Sequence, residues 1–79
     1  MNKIRVYGTE WCGDCVRSKT FMDKNKIDYE WTDVDTESQY RTYIRSLNKG
    51  MERVPTIVFP DGSILVEPTD EELAAKLNL

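Results

Sequence analysis

The chain has 79 residues, 39% hydrophobic and 32% charged. That is enough for one small domain over residues 1–79, with a thin core that buries about 60% of its unfolded surface. A net charge of −3 excludes a broad basic surface for nucleic acid or anionic membrane, and no apolar run is long enough to span a bilayer. No signal-peptide core precedes the first strand pattern, so a cytoplasmic, monomeric protein is expected. In that reducing compartment two thiols are rarely a permanent staple. The absence of His removes Cys–His nucleophile pairs and the usual zinc ligand sets from a single chain.

In chain order, Met1-Asn2-Lys3-Ile4-Arg5 alternates through Val6 as a first strand, and Tyr7-Gly8-Thr9-Glu10 turns into Trp11-Cys12-Gly13-Asp14-Cys15. Gly13 to about Lys24 has no Pro and no further Gly, and Val16, Phe21 and Met22 give it an apolar face, so a helix is expected. Ile27, Tyr29 and Trp31 alternate with Asp28, Glu30 and Thr32 as a second strand. Asp35-Thr36 offers a cap for a second helix, whose Tyr40, Tyr43, Ile44 and Leu47 fall on one face. Asn48-Lys49-Gly50 ends it, with Gly50 as a left-handed stop.

Thr56 to Phe59 reads as a buried strand. Pro60-Asp61-Gly62 turns it into a returning strand from Ser63 to Val66, a hairpin. Thr69 to Glu72 is a capping box, and Leu73, Ala74 and Leu77 are the apolar side of a last helix. The order β-α-β-α-β-β-α is an α/β arrangement. Its first two strands should be parallel, and three helices should cover both faces of a four-stranded mixed sheet.

Both cysteines of the chain, Cys12 and Cys15, sit where the first strand passes into the first helix. A helix start supplies free N–H groups and a positive dipole end, and both favour a thiolate. Cys12 is at the outset of the turn and is the expected nucleophile. Cys15, one turn in, is the expected resolving thiol. Helix residues three apart have Cβ atoms about 5–6 Å apart, whereas a relaxed disulfide wants about 3.5–4.5 Å. A bond across the motif must tighten the first turn, which Gly13 eases. Such a bond opens readily, and closing so short a loop stabilises by only about 2 kcal/mol, a poor staple.

Asp14 has two readings. It is a solvated helix-start carboxylate, or its charge, ~6–7 Å from a Cys12 thiolate, repels it by roughly 0.6–2.5 kcal/mol. In the second case it also opposes an anionic substrate, with Glu10 adding and Arg17 and Lys19 offsetting. Val54-Pro55-Thr56 likewise reads as a strand start, or as a loop beside the cysteines whose Val54 backbone pairs with an extended substrate. Trp11 is either a flat platform beside Cys12 or a partly buried aromatic. Arg53 adjoins Val54-Pro55 and is a candidate for holding a substrate carboxylate.

The Cys-Gly-Asp-Cys motif, Val54-Pro55-Thr56 and the element order together resemble the glutaredoxins of the thioredoxin superfamily over essentially the whole chain. Arg53 through Ser63 with Glu67-Pro68 most resembles the branch that includes mycoredoxins. The resemblance implies a thioredoxin fold with strand order 2-1-3-4 and a cis bond before Pro55. It implies a dithiol–disulfide oxidoreductase that acts on a disulfide-containing protein or small thiol substrate, with no bound cofactor or metal. Glutathione, mycothiol or a flavoprotein reductase would then be the electron donor. Glutathione-using members often carry Lys, Pro-Tyr and Gly-Gly where this chain has Thr9, Gly13-Asp14 and Glu67-Pro68. Thr69 and Asp70 still offer helix-start N–H groups to a substrate. Two rival readings of the dithiol are a metal- or Fe–S-bridged dimer and a redoxin-fold binding module.

Overall fold

The computed structural model describes residues 3–79, so the strand character read into Met1 and Asn2 lies outside the described residues. Its elements run β1 (Ile4–Gly8), α1 (Gly13–Lys24), β2 (Tyr29–Asp33), α2 (Gln39–Leu47), β3 (Thr56–Val58), β4 (Ile64–Val66) and α3 (Asp70–Leu77). β1 pairs parallel with β2 and antiparallel with β3, and β3 pairs antiparallel with β4. The sheet order is 2-1-3-4, as the resemblance implied.

Strand alternation sends side chains to two cores. Ile4, Val6 and Ile57 meet Met22 of α1 and Leu73 of α3, with Phe59, on one face. Tyr7 meets Val34, just after β2, and Ile44 of α2 on the other, with Tyr43, Val54 and Val58 packed around them. Full burial of a side chain such as Ile44 contributes about 1.5–3 kcal/mol, so two small cores of this kind carry the fold.

Several boundaries differ from the sequence reading. β1 continues through Tyr7 and Gly8 because these pair with Thr32 and Asp33. β2 starts two residues after Ile27, whose N–H closes the end of α1 on the Met22 carbonyl while Lys26 takes a left-handed φ of 57°. Asp35-Thr36 does not cap α2. Asp33 builds a separate turn there, accepting from the Asp35 N–H on its side chain and from Thr36 Oγ1 and the Glu37 N–H on its carbonyl. α2 therefore begins later, after Ser38, with no side-chain cap.

Val16 faces solvent; the buried stripe of α1 is Cys15, Ser18 and Met22. Cys15 is thus part of the core face of its helix. Gly50 does take the left-handed φ expected of it, at 89°. The hairpin turn holds Gly62 at φ 88°, and the Thr69–Glu72 capping box forms with both of its hydrogen bonds.

Candidate active site

Cys12 is the residue before α1 proper, with extended backbone and half-buried side chain. Its sulfur accepts the Cys15 N–H at 3.2 Å, the bond that an N-cap side chain makes. The Cys12 thiol also lies 3.7 Å from the Val54 carbonyl, to which it donates. Both cysteines are free, and Cys15 is completely buried. Burial, then the contact with Cys12, pushes the Cys15 thiol up to about 12, against the opposing pull of the Thr9 backbone and Lys19.

The sulfur of Cys15 fits because residue 8 has no side chain. A Cβ on Gly8 would lie 2.5 Å from Cys15 Sγ and 2.9 Å from the Trp31 ring. This requirement was missed in the sequence, although a glycine inside a strand is a signal of close approach. Gly13 is different: a Cβ there meets nothing within 4 Å.

Three separate parts of the chain flank the cysteine motif, one of them in contact with a sulfur. The first is Trp11, 75% exposed, so it is no buried aromatic. Its Nε1–H donates to Asp35 Oδ2 at 2.7 Å. The second is Val54-Pro55, joined by a cis peptide bond. The Pro55 carbonyl accepts the Glu67 N–H at 2.9 Å, and Thr56 Oγ1 donates to the Arg53 carbonyl at 2.6 Å. The third is the start of α3, reached from α1 by Arg17, which donates to Asp14 Oδ1 at 2.9 Å and to the Pro68 carbonyl at 2.8 Å. Arg17 Nε also lies 3.8 Å from Asp70 Oδ1.

The structure thus gathers Cys12, Cys15 and Val54 within contact, with Trp11, Gly13, Asp14 and Pro55 beside them. Asp14 is neither simply solvated nor unopposed, because Arg17 matches its charge. Lys19 lies over the Trp31 ring at 3.7 Å, with its Nζ 4.0 Å from Glu10 Oε1. Arg53 faces Glu67 at 3.4 Å. The Thr69 N–H already binds Glu72 Oε1 at 2.8 Å, so that donor is spent within the capping box. A groove of about 360 Å³ lined by Leu47, Asn48, Lys49, Met51, Arg53 and Val66 adjoins the site only through Arg53.

A family model described as glutaredoxin matches residues 4–64. A Mycobacterium tuberculosis protein provisionally named a glutaredoxin is 39% identical over 74 residues, covering 94% of this chain and 88% of that one. Mycoredoxin 1 of Corynebacterium glutamicum is 30% identical over 77 residues, covering 98% of this chain and 95% of its own length. Among solved structures, a mutant of the thioredoxin-like protein BC3987 superposes with a TM-score of 0.83 at 32% identity, covering 99% of this chain and 97% of that one.

Proposed function

The chain belongs to the glutaredoxin family, whose members are thiol–disulfide oxidoreductases, and we propose that in this chain the exchange runs through Cys12 and Cys15. Cys12 attacks one sulfur of a substrate disulfide as thiolate, forms a mixed disulfide and expels the first thiolate. Cys15 then loses its proton and attacks the Cys12 sulfur. A Cys12–Cys15 disulfide forms, and the second substrate thiolate leaves with the electron pair. Val54 offers its backbone to an extended substrate segment, Pro55 shapes that loop and Trp11 is the apolar face beside the nucleophile. The observation that carries this reading is the half-buried Cys12 sulfur, placed between the Cys15 N–H at 3.2 Å and the Val54 carbonyl at 3.7 Å.

Family proteins act on disulfide substrates and low-molecular-weight thiols. For this chain the charge pattern supports mycothiol, as opposed to glutathione, as donor. The arginines bordering the cleft are matched by the chain's own acids: Arg17 by Asp14 and Asp70, Arg53 by Glu67, Arg41 by Asp35 and Glu52. The Thr69 N–H and the Asp70 carboxylate also have partners within the chain, the first on Glu72 and the second beside Arg17. A thiol with two carboxylates meets little unspent positive charge here. Mycothiol, an N-acetylcysteine amide of a sugar, brings no carboxylate. A cytoplasmic setting and action as a monomer complete the reading.

Among the described residues no helix is long and apolar enough to cross a membrane.

The test is reduction of a peptide disulfide by wild type, Cys12→Ser and Cys15→Ser. Cys12→Ser should be inactive, and Cys15→Ser should stop at a trapped Cys12 mixed disulfide visible by mass spectrometry. Equal activity of wild type and Cys12→Ser would sink the assignment.

A further inference from the structure

Two walls of the cleft come from unconnected stretches: Trp11 directly precedes Cys12, and residues 51–54 bring the Val54 carbonyl to 3.7 Å from its sulfur. A single run of charge-assisted hydrogen bonds joins them. Trp11 Nε1–H donates to Asp35 Oδ2 at 2.7 Å. Arg41 Nη2 donates to Asp35 Oδ1, and Arg41 Nη1 donates to Glu52 Oε1 at 2.7 Å. Arg45 Nη2 donates to the remaining oxygen, Glu52 Oε2. Both carboxylates therefore use both oxygens, and one planar guanidinium serves two partners. At 75% exposure the Trp11 ring has little packing to orient it, so this hydrogen bond sets its direction. Glu52 stands two residues before Val54.

We propose that Arg41 is a positioning residue that braces the two walls of the cleft, holding the Trp11 platform through Asp35 and the Val54 loop through Glu52. A fork that donates in two directions suits this task, and an ammonium does not. The brace sets geometry more than stability, since exposed ion pairs contribute little to folding. Its loss should appear in substrate binding: walls that must be ordered on each encounter raise KM about three- to tenfold. The proposal rests on disulfide exchange at Cys12.

The experiment compares wild type, Arg41→Gln and Arg41→Lys with a peptide disulfide as substrate and dithiothreitol as reductant. The two indole N–H signals are recorded by NMR alongside, with Trp11 assigned through Trp11→Phe. Arg41→Gln should raise KM three- to tenfold, leave kcat within about twofold and move Tm by no more than about 5 °C. The Trp11 indole signal should shift or broaden while that of Trp31 stays. Arg41→Lys should resemble Arg41→Gln. Unchanged KM and Trp11 signal in Arg41→Gln, a loss confined to kcat, or full rescue by Lys would each overturn the brace. An inactive wild type would refute the exchange chemistry as well, which separates the two failures.

Discussion

A methyl group is the smallest probe of how Cys15 is held. Gly8→Ala would place a carbon 2.5 Å from its sulfur with the Trp31 ring closing the other side, so something must move. Overpacking of this kind costs about 1–3 kcal/mol. The expected result in denaturant titration is that loss, with slower release of substrate from the mixed disulfide, because Cys15 no longer points at Cys12. Gly13→Ala is the contrast. With open space at its Cβ it should keep full stability or gain up to about 1 kcal/mol, the difference between glycine and alanine inside a helix. Cys15 also makes stability depend on pH. Its folded value of about 12 lies above the ordinary value of 9.0, so the protonated thiol is favoured by folding. That contribution is fully present below about pH 9 and is lost as pH rises towards 12, amounting to a few kcal/mol. Tyr29, raised to about 12 by burial and by Asp23, acts in the same direction from about pH 10. Unfolding of the reduced protein between pH 8 and 11 should therefore show a falling stability that is flatter in Cys15→Ala. Parallel curves would show that the thiol ionises equally in both states.

At the scale of elements, what was legible in the sequence was local chemistry. The Thr69–Glu72 capping box, the Gly50 stop and the Gly62 turn each depend on residues within four positions of one another, and each formed. Asp35-Thr36 looked equally local and misled, because Asp33 two residues earlier builds its own turn from the Asp35 N–H, the Thr36 hydroxyl and the Glu37 N–H. That left the Asp35 carboxylate for Trp11, 24 residues away, a partnership no periodicity can reveal. The same limit hid Gly8: its neighbours Cys15 and Trp31 belong to other elements. In the site, the cysteines and Val54-Pro55 were readable from residue type and spacing, as was Arg17 against Asp14, whereas Asp70 beside Arg17 and the acids that match Arg41 and Arg53 were not. The cap itself makes a prediction. Thr69→Ala removes the hydroxyl that accepts the Glu72 N–H at 3.1 Å, which should cost about 1 kcal/mol of stability in thermal unfolding. It should leave the reaction of Cys12 with a small disulfide unchanged, since no sulfur contacts this cap. A large rate loss would place Thr69 in the chemistry instead.

Over the whole molecule, the charge is −3, and Arg17, Arg41 and Arg53 each face an acid from another segment of the chain, Asp70, Glu52 and Glu67 respectively. Removing one of those acids tests whether this matching governs the choice of thiol. Glu67 is the suitable position: it is exposed, it faces Arg53 at 3.4 Å, and it holds no hydrogen bond to either sulfur. Its backbone is left-handed at φ 49°, so Glu67→Gln is the safer change, keeping the side-chain length while removing the charge. An unmatched Arg53 attracts a carboxylate at ~6–7 Å by roughly 0.6–2.5 kcal/mol, with the lower end expected for an exposed group. Reduction of the Cys12 mixed disulfide by glutathione should accelerate about three- to tenfold at low ionic strength, and the gain should shrink as salt is added. The rate with mycothiol, which brings no carboxylate, should stay within about twofold. Equal acceleration with both thiols would show that Glu67 acts through loop geometry, and no change with either would remove Arg53 from the path of the incoming thiol.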